Sequence, residues 1–212
     1  MTLSEAPAVV ELQIADEPDA WRAAGFTVTA IDAIARIGDI DIRLVGRGDG
    51  TRIIGWSWSE LAGEGSIDGL VTAAAPPSTI PPGAHANGST IVDHVVVVTP
   101  NLERTTGAFT ARGLDVRRVR DTDQYGAPFR QVFFRGGETI IELVGPVELT
   151  GDDNRPAHFF GLAFTVADID ATAALLVGGV GRIKDAVQPG RRIVTLQHDQ
   201  YDISVPIAFM SE

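Results

Sequence analysis

One order of elements, strand–helix–strand–strand–strand, is written twice in succession along residues 91 to 212, and it constrains the fold more than any single motif. In the first copy, IVDHVVVVTP (91–100) is an uninterrupted β-branched strand. Thr99 is placed to cap the next helix, with Pro100 at its first position. NLERTTGAFTARG then carries Leu102, Thr106 and Phe109 on one face and Gly113 as its stop. LDVRRVR predicts a strand, and RQVFFRGGETIIELVG predicts a hairpin turning on Gly136-Gly137. In the second copy HFFGLAFTV is the strand and Asp168 caps the helix DIDATAALL. GRIKDAV, RRIVTLQHD and YDISVPIAFM are three further strands. Pro206 suits only an edge strand or a bulge, because it has no amide to donate, and Pro189-Gly190 predicts a type II turn before Arg191.

The N-terminal segment reads as a shorter copy. AVVELQIA is a strand, Asp16 caps EPDAWRAAG, and TVTAID, AIARIGD and IDIRLVG follow as strands. GDIDIRLVG (38–46) lies over GGETIIELVG (136–145), which sets Arg43 where the later copy has Glu142. A trailing strand, IIGWSWS, stacks Ile54, Trp56 and Trp58 on one face as core or interface residues. Two stretches punctuate the chain. The Pro-Pro-containing 72–90 reads as a linker holding His85, and 147–158 as a shorter one. The expected fold class is therefore α+β: tandem βαβββ modules at 91–146 and 159–212, plus an abbreviated N-terminal βαβββ-like module at 1–71.

Composition removes several classes of function. With no cysteine there are no disulfides, thiolate ligands or cysteine nucleophiles. A formal net charge of -11 argues against nucleic acid or an anionic membrane as partner. The one lysine, Lys184, leaves no P-loop lysine and a single Schiff-base candidate. No apolar run has the length of a membrane span, and MTLSEAPAVVELQ has no signal-peptide pattern, so the expected location is the cytoplasm.

Glu142 is the residue that a purely structural strand would not want, since it interrupts the aliphatic run Ile140-Ile141-Glu142-Leu143-Val144 and burying an unpaired carboxylate is costly. His94 lies on a strand of the same module. The βαβββ unit in tandem, DHVVVVTPNLE at its first strand and a glutamate in its fourth, resembles the vicinal oxygen chelate superfamily of glyoxalase, bleomycin-resistance and extradiol-dioxygenase proteins. The resemblance covers 91–210, and 9–46 more loosely. It implies paired modules curled into one cup-shaped mixed sheet with the helices outside. It also implies a divalent metal (Zn, Mn, Fe or Ni) held by a first-strand and a fourth-strand side chain of each module.

Carried onto this sequence, those positions are His94 and Glu142, with Gly161 opposite His94 and Ser204 opposite Glu142; the N-terminal copy has Val10 and Arg43 there. Only two of four ligands are supplied, and His158 and His198 are the candidates for a third. His94 is either a ligand or a hydrogen-bonded core histidine, and Glu142 either a ligand and general base or a carboxylate neutralised by His94 or Arg130. Gln131, Arg130, Gln188 and Arg191 are the candidate substrate-binding side chains. Two functions follow from the resemblance: a metal-assisted isomerase or lyase acting on a small oxygenated metabolite, or a metal-free protein that sequesters a small ligand. A scaffold with a vestigial cup is a third. The N-terminal copy is expected to pack outside the paired modules or to form a homodimer interface through Trp56 and Trp58.

Overall fold

The computed structural model describes residues 6–48, 50–123, 128–148 and 153–212. The N-terminal part forms β1 (Ala8–Ile14), α1 (Pro18–Ala23), β2 (Ile34–Ile37), β3 (Ile40–Leu44), β4 (Ile53–Ser59) and β5 (Thr72–Ala74), joined in a five-stranded sheet of order β2-β3-β1-β4-β5. The remainder begins with β6 (Ser89–Val98), α2 (Leu102–Thr110), β7 (Arg118–Thr122), β8 (Phe129–Gly136) and β9 (Thr139–Pro146). It continues with β10 (His158–Val166), α3 (Ile169–Leu175), β11 (Lys184–Asp185), β12 (Arg192–Thr195) and β13 (Ile207–Ser211). These ten elements make one eight-stranded mixed sheet, β11-β12-β13-β10-β6-β9-β8-β7. The antiparallel pair β6–β10 joins the two modules at its centre, and each module's last strand lies parallel to its first. The tandem α+β architecture read from the sequence is what forms.

Local chemistry shifts several boundaries. Asn101, not Thr99, caps α2, its side chain accepting from the Arg104 amide, while the Thr99 hydroxyl is engaged by Asn101 and Thr105. Asp16 does not cap α1 either: it is fully buried and accepts from the Trp21 indole and the Ser204 amide. Asp168 caps α3 as expected. TVTAID forms no strand. YDISVPIAFM is only half a strand, because His198–Tyr201 close a short 3-10 helix ended by Asp202 in the left-handed region (φ 58°). Pro206 sits just before β13, its carbonyl accepting from Leu162. Gly190 (φ 84°) and the Arg191 amide on the Gln188 carbonyl complete the turn expected at Pro189-Gly190.

The five-stranded sheet packs against the face of the large sheet that also carries the helices. Trp56 meets Phe159 edge-on at 4.9 Å, Trp58 at 5.0 Å and Phe109 of α2 at 6.1 Å. Trp21 and Phe26 reach Phe164 at 6.3 and 5.2 Å. Gly136 allows this approach, since a Cβ there would stand 2.8 Å from the Trp58 ring. Both Trp56 and Trp58 are thus core within one chain, and the homodimer interface expected of them is not available. Ile54 parts company with them: a register shift leaves it exposed. Nor is the end of the 72–90 linker loose. His85 is buried, accepting from the Thr27 amide through Nδ1 and meeting the Arg36 carbonyl through Nε2, both at 3.0 Å. No helix of the described residues is long and apolar enough to cross a membrane.

Candidate functional site

Among the described residues no helix covers the opposite face of the eight-stranded sheet, and this face holds His94, Gln131 and Glu142. Strand alternation sends Ile140, Glu142 and Val144 of β9 to this face and Ile141 and Leu143 to the core. On β6 the alternation slips twice, at Thr90 between the rungs Ile91–Thr165 and Ser89–Val166 and again at Asp93. Val92 and Val95, three apart, are both buried, because Asp93 is an extra residue between the rungs His94–Ala163 and Val92–Phe164. The second bulge lets Asp93 and His94 contribute to one polar cluster. Its counterpart in β10 is Phe160, extra between Phe159–Val97 and Gly161–Val96.

Hydrogen bonding orders the cluster. His94 Nδ1 is 2.9 Å from Asp93 Oδ1, and His94 Nε2 faces Glu142 Oε2 at 3.7 Å. Gln131, one strand over on β8, donates from Nε2 to Glu142 Oε1 at 2.5 Å. Asp93 Oδ2 also receives Arg191 Nη1 at 2.7 Å and the Thr165 hydroxyl at 3.0 Å. Burial by itself raises the Asp93 pKa, but hydrogen bonds from His94 and Arg191 and their charges outweigh it and hold the group at about 2. An ionised Asp93 fixes the His94 ring with Nδ1 as donor, which leaves Nε2 turned toward Glu142. At 3.7 Å that contact is too long for a direct hydrogen bond, so Oε2 of Glu142 keeps its acceptor capacity. The Glu142 side chain is 15% exposed.

A cleft of about 860 Å³ opens over this pair, lined by His94, Gln131, Ile140 and Glu142 at its floor. Its walls come from opposite ends of the sheet, Arg118 and Arg120 of β7 on one side and Lys184 and Gln188 on the other, which requires the sheet to curl. Of the candidate substrate residues, Gln131 and Gln188 line the cleft. Arg130 does not: next to Gln131 in the strand it faces the other way and holds Asp121 with a two-pronged ion pair at 2.7 and 2.8 Å. Arg191 is likewise outside the lining, spent on Asp93, Thr165 and the Ser211 carbonyl. Arg43 pairs with Glu11 at 2.8 Å in the N-terminal sheet, away from the cleft. Sequence reasoning missed Asp93 and the β7 arginines; the three-residue step from Val92 to Val95 was the signal available for the first.

Fold and cleft together define a cup protein of paired βαβββ modules. Residues 91–193 match the model of the Glyoxalase/Bleomycin resistance protein/Dioxygenase superfamily and form a domain of it. No curated protein matches the chain by sequence. Among solved structures, methylmalonyl-CoA epimerase from Mycobacterium tuberculosis is similar at 19% identity over 58% of this chain and 89% of that chain (TM-score 0.46). A triple mutant of 4-hydroxymandelate synthase from Streptomyces coelicolor is similar at 12% identity over 96% of this chain and 92% of that chain (TM-score 0.65). The second likeness extends the shared fold to the N-terminal sheet.

The superfamily implies a metal, and the residues present do not complete a site for one. Counting from the helix caps Asn101 and Asp168, Gly161 holds the place of His94. A side chain there is disfavoured, because its Cβ would meet the Pro206 carbonyl at 2.8 Å and the backbone would have to shift. Sheet register then gives Ala208, not Ser204, as the counterpart of Glu142, since Val95 pairs with Ile141 where Leu162 pairs with Ile207. Ser204 instead binds the Arg52 amide and, through its own amide, Asp16. His158 begins β10 beside Val98 and is exposed, and His198 Nδ1 meets the Ile203 carbonyl at 2.8 Å. Among the described residues no group of three or more His, Asp or Glu side chains is arranged to hold a metal ion. One imidazole and one carboxylate fall short of the three protein ligands a stable open site uses.

Proposed function

We propose that this chain is a glyoxalase-like protein whose cleft binds a small oxygenated metabolite and moves a proton on it with Glu142, in the manner of an isomerase or lyase, without a protein-held metal. The carrying observation is Glu142 itself: a carboxylate on the cleft floor, held by Gln131 through Oε1 and with Oε2 uncommitted. A base so placed accepts a proton from a carbon next to a carbonyl. His94, oriented by Asp93, stands 3.7 Å away to share the charge or return the proton. Gln131 suits both protonation states. Its amide donates to Oε1, and that bond persists whether or not Oε2 carries the proton.

The test is deuterium incorporation, followed by NMR, into a panel of small 2-oxo and 2-hydroxy acids incubated with the protein in deuterium oxide. The expected result is exchange that falls by about 100-fold or more in Glu142→Gln. Exchange unchanged in that variant would overturn the reading. Gly161 and Ala208 favour a second reading, a cup that sequesters its ligand without turnover. It predicts saturable binding to wild type with no exchange at all.

A further inference from the structure

The cleft concentrates positive charge on a chain that is otherwise acidic. Six of the seventeen lysines and arginines line it, Arg117, Arg118, Arg120, Arg135, Arg182 and Lys184, against the carboxylates Glu142 and Asp185, while the net charge is -11. Elsewhere most arginines are matched to a carboxylate, as Arg22 is with Asp19, Arg130 with Asp121, Arg155 with Asp153 and Arg192 with Asp170; the exceptions are Arg52, over the Phe160 ring, and Arg112, which binds backbone carbonyls. The cleft cations are unmatched. Arg117, Arg118, Arg120, Arg182 and Lys184 make no ion pair with any described residue, and Arg135 has only the Glu138 carbonyl. Unmatched like charges across a concave site repel one another, and an acidic protein has carboxylates to spare for neutralising them. A cleft with low-dielectric walls focuses such a field on whatever enters it.

Resting on the reading of this cleft as the ligand site, we infer that its ligand is a small molecule carrying at least two negative charges, bound through phosphate or carboxylate oxygens by the basic walls. Register gives the spacing. Arg118 pairs with Phe133, which pairs with Glu142, and Arg120 pairs with Gln131, so both arginines start two strands, about 10 Å, from the Glu142 backbone. Their long side chains reach back over that interval and place the anionic group about 5–10 Å from the carbon presented to Glu142. Arginine forks suit phosphate and carboxylate oxygens. Arg182 and Lys184 on the far wall supply charge to a second anionic group.

Pyrophosphate, titrated into the full chain by calorimetry at low ionic strength, is the probe. Saturable binding is expected, weakening as salt is raised. The double variant Arg118→Ala/Arg120→Ala, on an exposed edge strand where folding is checked by circular dichroism, is expected to bind about tenfold more weakly or worse. Arg130→Ala, on the opposite face, is expected to match wild type. No detectable binding to wild type, a double variant within about twofold of it, or an equal loss in Arg130→Ala would each overturn the inference. Glu142→Gln is expected to retain pyrophosphate binding. Failure of the proton-transfer reading therefore leaves this result standing, and the reverse also holds.

Discussion

Asp93→Asn should separate the electrostatic part of the site's stability from its packing. The amide keeps the shape of the side chain but cannot be an anion between His94 Nδ1 at 2.9 Å, Arg191 Nη1 at 2.7 Å and the Thr165 hydroxyl at 3.0 Å. The carboxyl is depressed from 3.8 to about 2 in the folded protein. At ~1.4 kcal/mol per pKa unit this is roughly 2 kcal/mol. Allowing for the solvent that still reaches the pair, about 1–2 kcal/mol is expected. A folded pKa below the unfolded one contributes stability that is fully present above 3.8 and is lost as pH falls through about 2. Urea unfolding of wild type and variant should therefore differ by that amount near neutral pH, with the gap closing between about pH 4 and pH 2. A gap that is absent at neutral pH, or that persists unchanged at the acid end, would refute the reasoning.

Glu142→Ala should unfold at the same urea concentration as wild type or a higher one, because it removes a largely buried carboxylate with a single hydrogen bond. Trp58→Ala, at the junction of the two sheets, should cost about 3–5 kcal/mol in chemical unfolding and loosen both sheets together. Gly161→Ala should cost about 1–3 kcal/mol by forcing a methyl against the Pro206 carbonyl, read as a lower thermal midpoint. His85, whose pKa burial lowers, favours the neutral ring that accepts from Thr27. Wild type should lose stability as pH falls below 6.5, and His85→Gln should lose less, in unfolding curves between about pH 7 and pH 5.

The repeat made the large sheet legible, because β-branched runs, a helix cap such as Asp168 and the Gly136-Gly137 turn each act locally. What the sequence left out depended on contacts between distant segments. Asp16 has the look of a helix cap, yet it serves Trp21 and the Ser204 amide across the whole chain. Tyr201–Ser204 has strand-like composition but closes a turn. Register counted through it gave Ser204 where the sheet has Ala208. Trp56 and Trp58 looked equally suited to an interface or a core, and only the packing of the N-terminal sheet decides between them. In the site, Glu142 stood out as a carboxylate inside an aliphatic run, His94 followed from the family resemblance, and Gln131 was one candidate among several on the neighbouring hairpin strand. Asp93 was not legible, because a bulge breaks the alternation of β6. The basic walls were not either, since Arg118 and Lys184 meet across a cleft only after the sheet has curled.

In the proposed function His94 and Glu142 act as side chains in their own right, because the other two family positions are Gly161 and Ala208. Metal analysis of protein purified without chelator, repeated after titration with Zn, Mn, Fe or Ni and dialysis, tests this most directly. Well below one equivalent is expected to remain, with no difference between wild type, His94→Ala and Glu142→Ala. One tightly held equivalent in wild type that is lost in both variants would contradict it.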